Sequence, residues 1–191
     1  MRTACLAFPF ESTAQPSALM RTPHATRLML DYAAYHRDRR NIATHVIGIP
    51  LIVLAIGVLL GHAQITLGVV ELSAASLLWV ASTIWYLTLG NLVLGIAVSA
   101  MNGLLFALGA TLSGGEQWLA WGIGSFAVGW TLQFVGHYFE GRKPAFVDDL
   151  VGLLAGPMFV VAEGLFALGW GQALRADIER GAGPTVARRS D

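Results

Sequence analysis

The sequence predicts an all-α membrane protein: a polytopic helix bundle of about four spans, with an amphipathic helix before it and a re-entrant or interfacial hairpin after it. Hydrophobic residues make up 55% of the 191-residue chain and charged residues only 13%, whereas a soluble domain has about 25% charged residues. Lys and Arg are absent from 41–141. Within that stretch, apolar segments close to the roughly 20 residues that span a hydrocarbon core are separated by short polar breaks.

The chain opens with a segment, 1–24, that reads as a loose tail. Glu11 interrupts the continuous apolar run that a secretory signal needs. Translation starting at Met20 is an alternative. Residues 26–40, TRLMLDYAAYHRDRR, place Leu28, Tyr32 and Tyr35 at i, i+4 and i+7 beside Arg27, Asp31 and Arg37. That pattern predicts an interfacial amphipathic helix. RDRRN then breaks it, with Asn41 as the expected N-cap of the first span.

Four apolar segments follow, at 46–61, 72–89, 92–112 and 118–136. His62, Gln64 and Glu71 mark the first break, Gly90-Asn91 the second and Ser113 to Gln117 the third. Pro50 lies in the first turns of the shortest segment. Trp85, Tyr86, Trp118 and Trp121 suit an interfacial belt, or equally lipid-facing or core positions. Residues 150–170 contain Ala155-Gly156-Pro157, which predicts a break and hence the hairpin; a single span is the competing reading. One membrane domain, 25–174, and a tail, 175–191, complete the organisation.

Basic residues cluster before residue 41, at Arg142 and Lys143, and from Arg175 onward. By the positive-inside rule, the N-terminal segment, the 137–149 loop and the tail all face the cytoplasm, so an even number of spans separates them. A bacterial inner membrane is the expected location. A net charge of zero with no basic stripe argues against nucleic acid. The single cysteine, Cys5, excludes an intrachain disulfide and any sulfur-rich metal site.

This topology sorts the five histidines. His36, His45 and His137 fall at one depth on the cytoplasmic face, whereas His62 lies across the membrane and His24 in the tail. A nine-residue step on one unbroken helix would point His36 and His45 apart, so a break between them is required if both bind one ion. Gln133, His137 and Glu140 share one face of a helix that continues past 137. Two or three imidazoles with a carboxylate or water suit Fe, Zn or Mn. Histidines that merely anchor helix ends, or a transporter for metal or small solutes, are the rival readings. Glu163 lies in an apolar run, where an ionisable group signals function or a structural hydrogen bond. Asp148 and Asp149 read as helix N-terminal charges. Arg142 and Lys143 could hold an acidic headgroup.

Two blocks carry a resemblance. They are Tyr35-His36-x4-Asn41-x3-His45-x4-Pro50 and Gly129-Trp130-x2-Gln133-Phe134-Val135-Gly136-His137, the second continuing through Phe139-Glu140, Arg142-x-Pro144-Ala145 and Asp149-Leu150, with Pro157, Phe159 and Glu163 beyond. In these the chain resembles a family of small fungal and bacterial membrane proteins typified by the 2-hydroxy fatty acid dioxygenase of the endoplasmic reticulum. The resemblance implies an iron(II)-dependent enzyme that uses dioxygen to remove one carbon from a 2-hydroxy long-chain acid in alpha-oxidation, within membrane lipid. It implies His36, His45 and His137 as iron ligands. Asn41, Gln133 and Glu140 are the candidate catalytic residues, Arg142 and Lys143 the candidate substrate contacts, and Glu163 a candidate support for the ligands.

Overall fold

A computed structural model of the chain describes residues 23–143 and 151–187. The expectations for residues 1–22, for Asp148 and Asp149, and for the last four residues lie outside the described residues. Among the described residues are seven helices and one two-stranded hairpin.

Helix α1, His24–Ala33, ends earlier than its apolar pattern suggested, and its buried face is rotated from the expected one. Ala25, Met29, Tyr32 and Ala33 are buried, while Leu28 and Tyr35 are only half-buried. The reason is tertiary: α1 packs under α6 and α7, so protein rather than lipid covers its apolar side. Helix α2, Arg39–Gly61, begins after Asp38, whose carboxylate accepts from the Arg40 amide. Asp38 therefore replaces Asn41 as the cap. Either residue type satisfies an orphan N–H, and the earlier one wins because Arg39 and Arg40 extend a helix readily.

The first predicted break contains a feature that the all-α expectation missed. Strands β1, Gln64–Leu67, and β2, Val70–Ser73, pair antiparallel with Leu67 opposite Val70. Only Gly68 and Val69 remain to turn the chain, and β-branched Ile65, Thr66 and Val70 favour the extended flanks. Ser73 then caps α3, Ala74–Thr88, and Asn91 caps α4, Leu92–Ser113, each through a side-chain oxygen. Helix α5 runs over Trp118–Glu140.

The expected break at Ala155-Gly156-Pro157 is absent. Helix α6, Val151–Ala167, runs through all three residues. Pro157 removes one backbone donor in the second turn, which a helix packed on both sides tolerates. The bend, of 117°, falls instead between α6 and α7, Gln172–Ala182. Tyr86 belongs to the core rather than to an interfacial belt: it is buried, and its hydroxyl donates to the Leu154 carbonyl.

Among the described residues, α2 and α4 are long and apolar enough to cross a membrane. Leu104, Leu92, Val93 and Ile84 point outward, an apolar exterior that suits lipid. Small residues let helices pack closely, and α2 and α5 cross in this way along their antiparallel contact. A methyl group on Gly129 would lie 2.7 Å from the Ile52 side chain and 2.8 Å from the Gly48 carbonyl oxygen. On Gly136 it would collide with the side chains of Thr44 and Asn41.

Gly136→Val should therefore lower the thermal unfolding temperature in detergent, with a destabilisation of about 1–3 kcal/mol or more. Gly124, on the same helix, has no atom within 4 Å of an added methyl. Gly124→Ala should be neutral or stabilising by up to ~1 kcal/mol. Equal unfolding temperatures for the two variants would contradict the tight crossing.

Candidate metal centre

The α2–α5 crossing brings His45, in the second turn of α2, against His137, in the last turn of α5. His36 reaches the same point from the turn between α1 and α2. Ring centroids lie 4.5 Å apart for His36 and His45, 4.9 Å for His36 and His137 and 5.0 Å for His45 and His137. One ligating nitrogen from each lies within 4.8 Å of the others, and all three residues are buried. Among the described residues this is the one group of three or more potential ligands found together.

Hydrogen bonding fixes the tautomers of two of the rings. His36 Nδ1 meets the Tyr32 carbonyl at 2.7 Å and His45 Nδ1 meets the Asn41 carbonyl at 2.9 Å. A carbonyl can only accept, so both Nδ1 atoms carry the proton and both Nε2 atoms carry a lone pair. Those two Nε2 atoms face each other at 3.0 Å. Two lone pairs cannot satisfy one another, and together with His137 they could hold a metal ion. Burial, and after it the neighbouring His45, holds the His36 imidazole well below its ordinary value of 6.5, so His36 is neutral at neutral pH and available as a ligand. Tyr32 stacks flat on His36 with 4.0 Å between centroids, and Phe159 of α6 packs on the same ring.

The loop that carries His36 is held by Glu140. One carboxylate oxygen, Oε2, accepts from the Arg37 amide at 3.0 Å, the Asp38 amide at 2.8 Å and Asn41 Nδ2 at 3.1 Å. Asn41 Nδ2 also donates to the Tyr35 carbonyl. The structure thus places Glu140 and Asn41 behind the histidines, joining the end of α5 to the start of α2. Arg37, which the sequence analysis placed on the polar flank of an interfacial helix, is instead buried and donates to the Ala33, His36 and Gly183 carbonyls. Val186 pairs with the backbone of Arg37 and Arg39, tying the C-terminal segment to the same loop. No pattern in the sequence pointed to that contact.

A cavity of about 260 Å³ opens beside the histidines between α2, α5 and α6. Two helical stripes line it: His45, Ile49, Ile52, Val53 and Ile56 on α2, and His137, Gln133, Trp130 and Phe126 on α5. Because the helices are antiparallel, the polar ends of both stripes coincide. Gly152, Gly156 and Pro157 of α6 close the remaining side. Arg142 and Lys143 are exposed and outside this lining; Arg142 donates to the Ala34 carbonyl at 2.9 Å. Glu163, half-buried on α6, sits in the field of Arg37 and Arg175 rather than in the cavity. His62 lies at the other end of α2, stacked on Trp118, and His24 is exposed at the start of α1.

Fold and site together define a membrane-type helical protein with three buried histidines at the polar end of an apolar cavity. The chain belongs to the Mpo1-like family, whose model, described as 2-hydroxy-palmitic acid dioxygenase Mpo1-like, matches residues 23–168. It is similar to the 2-hydroxy-palmitic acid dioxygenase MPO1 of Saccharomyces cerevisiae, with 32% identity over 153 residues, 78% of this chain and 83% of the relative. No solved structure matches it. The resemblance read from the two histidine blocks is borne out at the level of the family.

Glu140→Ala should leave two buried backbone amides without their acceptor, at a cost of about 1–3 kcal/mol for each. Thermal unfolding in detergent should show this loss. Glu140→Gln, which keeps an acceptor oxygen, should lose clearly less. Matching losses for the two variants would mean that the amides do not depend on Glu140.

Proposed function

We propose that the protein is a membrane-bound 2-hydroxy fatty acid dioxygenase that shortens its substrate by one carbon, with iron(II) held by His36, His45 and His137. The observation that carries this reading is the pair of facing Nε2 lone pairs at the polar end of an apolar cavity. When bound there, iron(II) would supply dioxygen activation and a chelation point for the acid. The reaction breaks the bond between C1 and C2; the atoms balance with the shortened acid, carbon dioxide and water as products.

The chain's own residues divide the remaining work. The Tyr32 and Asn41 carbonyls hold two imidazoles in the ligating tautomer, as second partners of metal-bound histidines commonly do. Ile49, Ile52, Val53 and Ile56, facing Trp130 and Phe126, offer an acyl chain a dry wall that keeps water from the reacting carbons. Arg142 and Lys143, exposed after α5, place positive charge near the headgroup and draw the acid in from the membrane surface. Glu163 acts at one remove, through the field it exerts on Arg37.

Four spans, at α2 to α5, put this site on the cytoplasmic face of the host membrane. The complete absence of Lys and Arg from 41–141 supports that count. So does the pairing of Val186 with Arg37 and Arg39, which keeps the C-terminal segment on the side of the N-terminal loop. The α6–α7 pair then lies against the site as a bent element, covered by α1.

Protein purified in detergent under anaerobic, iron-replete conditions should carry about one metal ion per chain. His36→Ala, His45→Ala and His137→Ala should each lose most of it, while His62→Ala keeps it. Supplied with oxygen, the loaded protein should convert 2-hydroxypalmitate to pentadecanoate and leave palmitate unchanged, as followed by mass spectrometry. Purification without any bound transition metal, or equal turnover of both acids, would overturn the reading.

Topology has its own measurement. In a Cys5→Ser background, single cysteines at Lys143 and Glu116 should react with an impermeant reagent from opposite sides of sealed vesicles. Labelling from one side would refute the four-span count.

A further inference from the structure

Among the described residues, Tyr32 supplies the one hydroxyl in the lining of the cavity. Its ring lies flat on the His36 imidazole, and for that contact a phenylalanine would serve, as Phe159 does on the same imidazole. The hydroxyl therefore needs a separate explanation. A buried tyrosine usually finds a partner for its O–H, and Tyr86 does so at the Leu154 carbonyl. Tyr32 is 7% exposed, and its hydroxyl makes no hydrogen bond among the described residues.

Its position is fixed from α6. A methyl group on Gly156 would lie 3.2 Å from the Tyr32 hydroxyl oxygen and 3.0 Å from the Ile49 side chain. Gly156, Ile49 and Tyr32 all line the cavity, so the hydroxyl stands at its edge, and the missing side chain of Gly156 keeps the space beside it open. The same end holds the histidines. His36 Nδ1 is turned back to the Tyr32 carbonyl, which leaves Nε2 pointing away from the α1 backbone, the way the phenol ring extends.

An acid headgroup that enters this end loses water and needs donors in its place. The Nδ1 protons of His36 and His45 are already given to backbone carbonyls. A carboxylate only accepts, with more lone pairs than one partner can engage, and a phenol O–H is a matching donor. We propose that the Tyr32 hydroxyl donates a hydrogen bond to the carboxylate of the fatty acid substrate and anchors its headgroup beside the histidines. This rests on the functional reading above and deepens it.

The test is equilibrium binding of 2-hydroxypalmitate and of palmitate to the iron-loaded full-length protein without oxygen, so that no turnover occurs. Tyr32→Phe keeps the ring on His36 and removes only the donor. Its metal content and unfolding temperature should match wild type, while both acids bind about tenfold more weakly, the loss expected for a hydrogen bond to a charged acceptor. Unchanged affinities in the folded variant would overturn the role of Tyr32 and leave the functional reading intact. So would a loss confined to 2-hydroxypalmitate, because the partner would then be the 2-hydroxyl, and so would a loss of metal, because Tyr32 would then act on His36 alone. A wild type that binds neither acid overturns the functional reading and this inference together.

Discussion

One carboxylate, Glu140, sets the position of everything at the histidine end of the molecule. The nine residues from His36 to His45 cannot place both rings on one point unless the chain turns sharply between them. That turn exposes the amides of Arg37 and Asp38, which sit where water cannot reach, and Glu140 accepts both. A charged acceptor forms stronger hydrogen bonds than a neutral carbonyl would. Because Glu140 follows His137 by three residues on the same helix, the bonds that close the turn also register His137 against His36 and His45.

The clamp works only because α2 and α5 approach closely enough for it to reach. Gly129 and Gly136 provide that approach, and no other residue type fits at either position without displacing a neighbour. Small residues at one crossing thus do two things at once. They let the two helix backbones approach closely, and they leave room one turn further on for the cavity beside Ile49, Ile52 and Gln133. Stability of the bundle and shape of the site come from the same contact.

Much of this was legible in the sequence, for identifiable reasons. Helices α2 to α5 follow from hydropathy and from Gly, Asn and Ser at their breaks, and they fall within a few residues of the expected segments except where α2 extends back to Arg39. The three histidines were grouped on the expected topology, in which charge distribution sets depth; the crossing of α2 and α5 brings the same three together. Rotation of α1 was not legible, since its burial depends on α6 and α7, which lie far away in sequence. Neither was the passage of α6 through Pro157, where tertiary packing overrides a local breaker. The β1–β2 hairpin was readable in principle from the alternation of Gln64, Ile65, Thr66 and Leu67 before Gly68, but apolar runs on both sides obscured it. Gln133 and Glu140 were both marked as polar residues on the His137 face, yet only the crossing with α2 separates them: Glu140 is committed to backbone amides, and Gln133 lies beside the cavity.

The character of the cation that the site calls for follows from counting lone pairs. A proton could bridge His36 and His45, but it would leave His137, whose ligating nitrogen lies within the same 4.8 Å, outside the bond. It would also charge a ring that burial keeps neutral. A metal ion can accept from all three nitrogens. Three neutral ligands would leave a divalent ion with its full double charge in a cavity lined by isoleucine, valine and aromatic rings, and a bare charge in such surroundings is costly. An anionic chelator relieves that cost. A carboxylate with an adjacent hydroxyl would do so with its hydrocarbon chain in the apolar remainder of the cavity, so charge and shape favour the same kind of molecule.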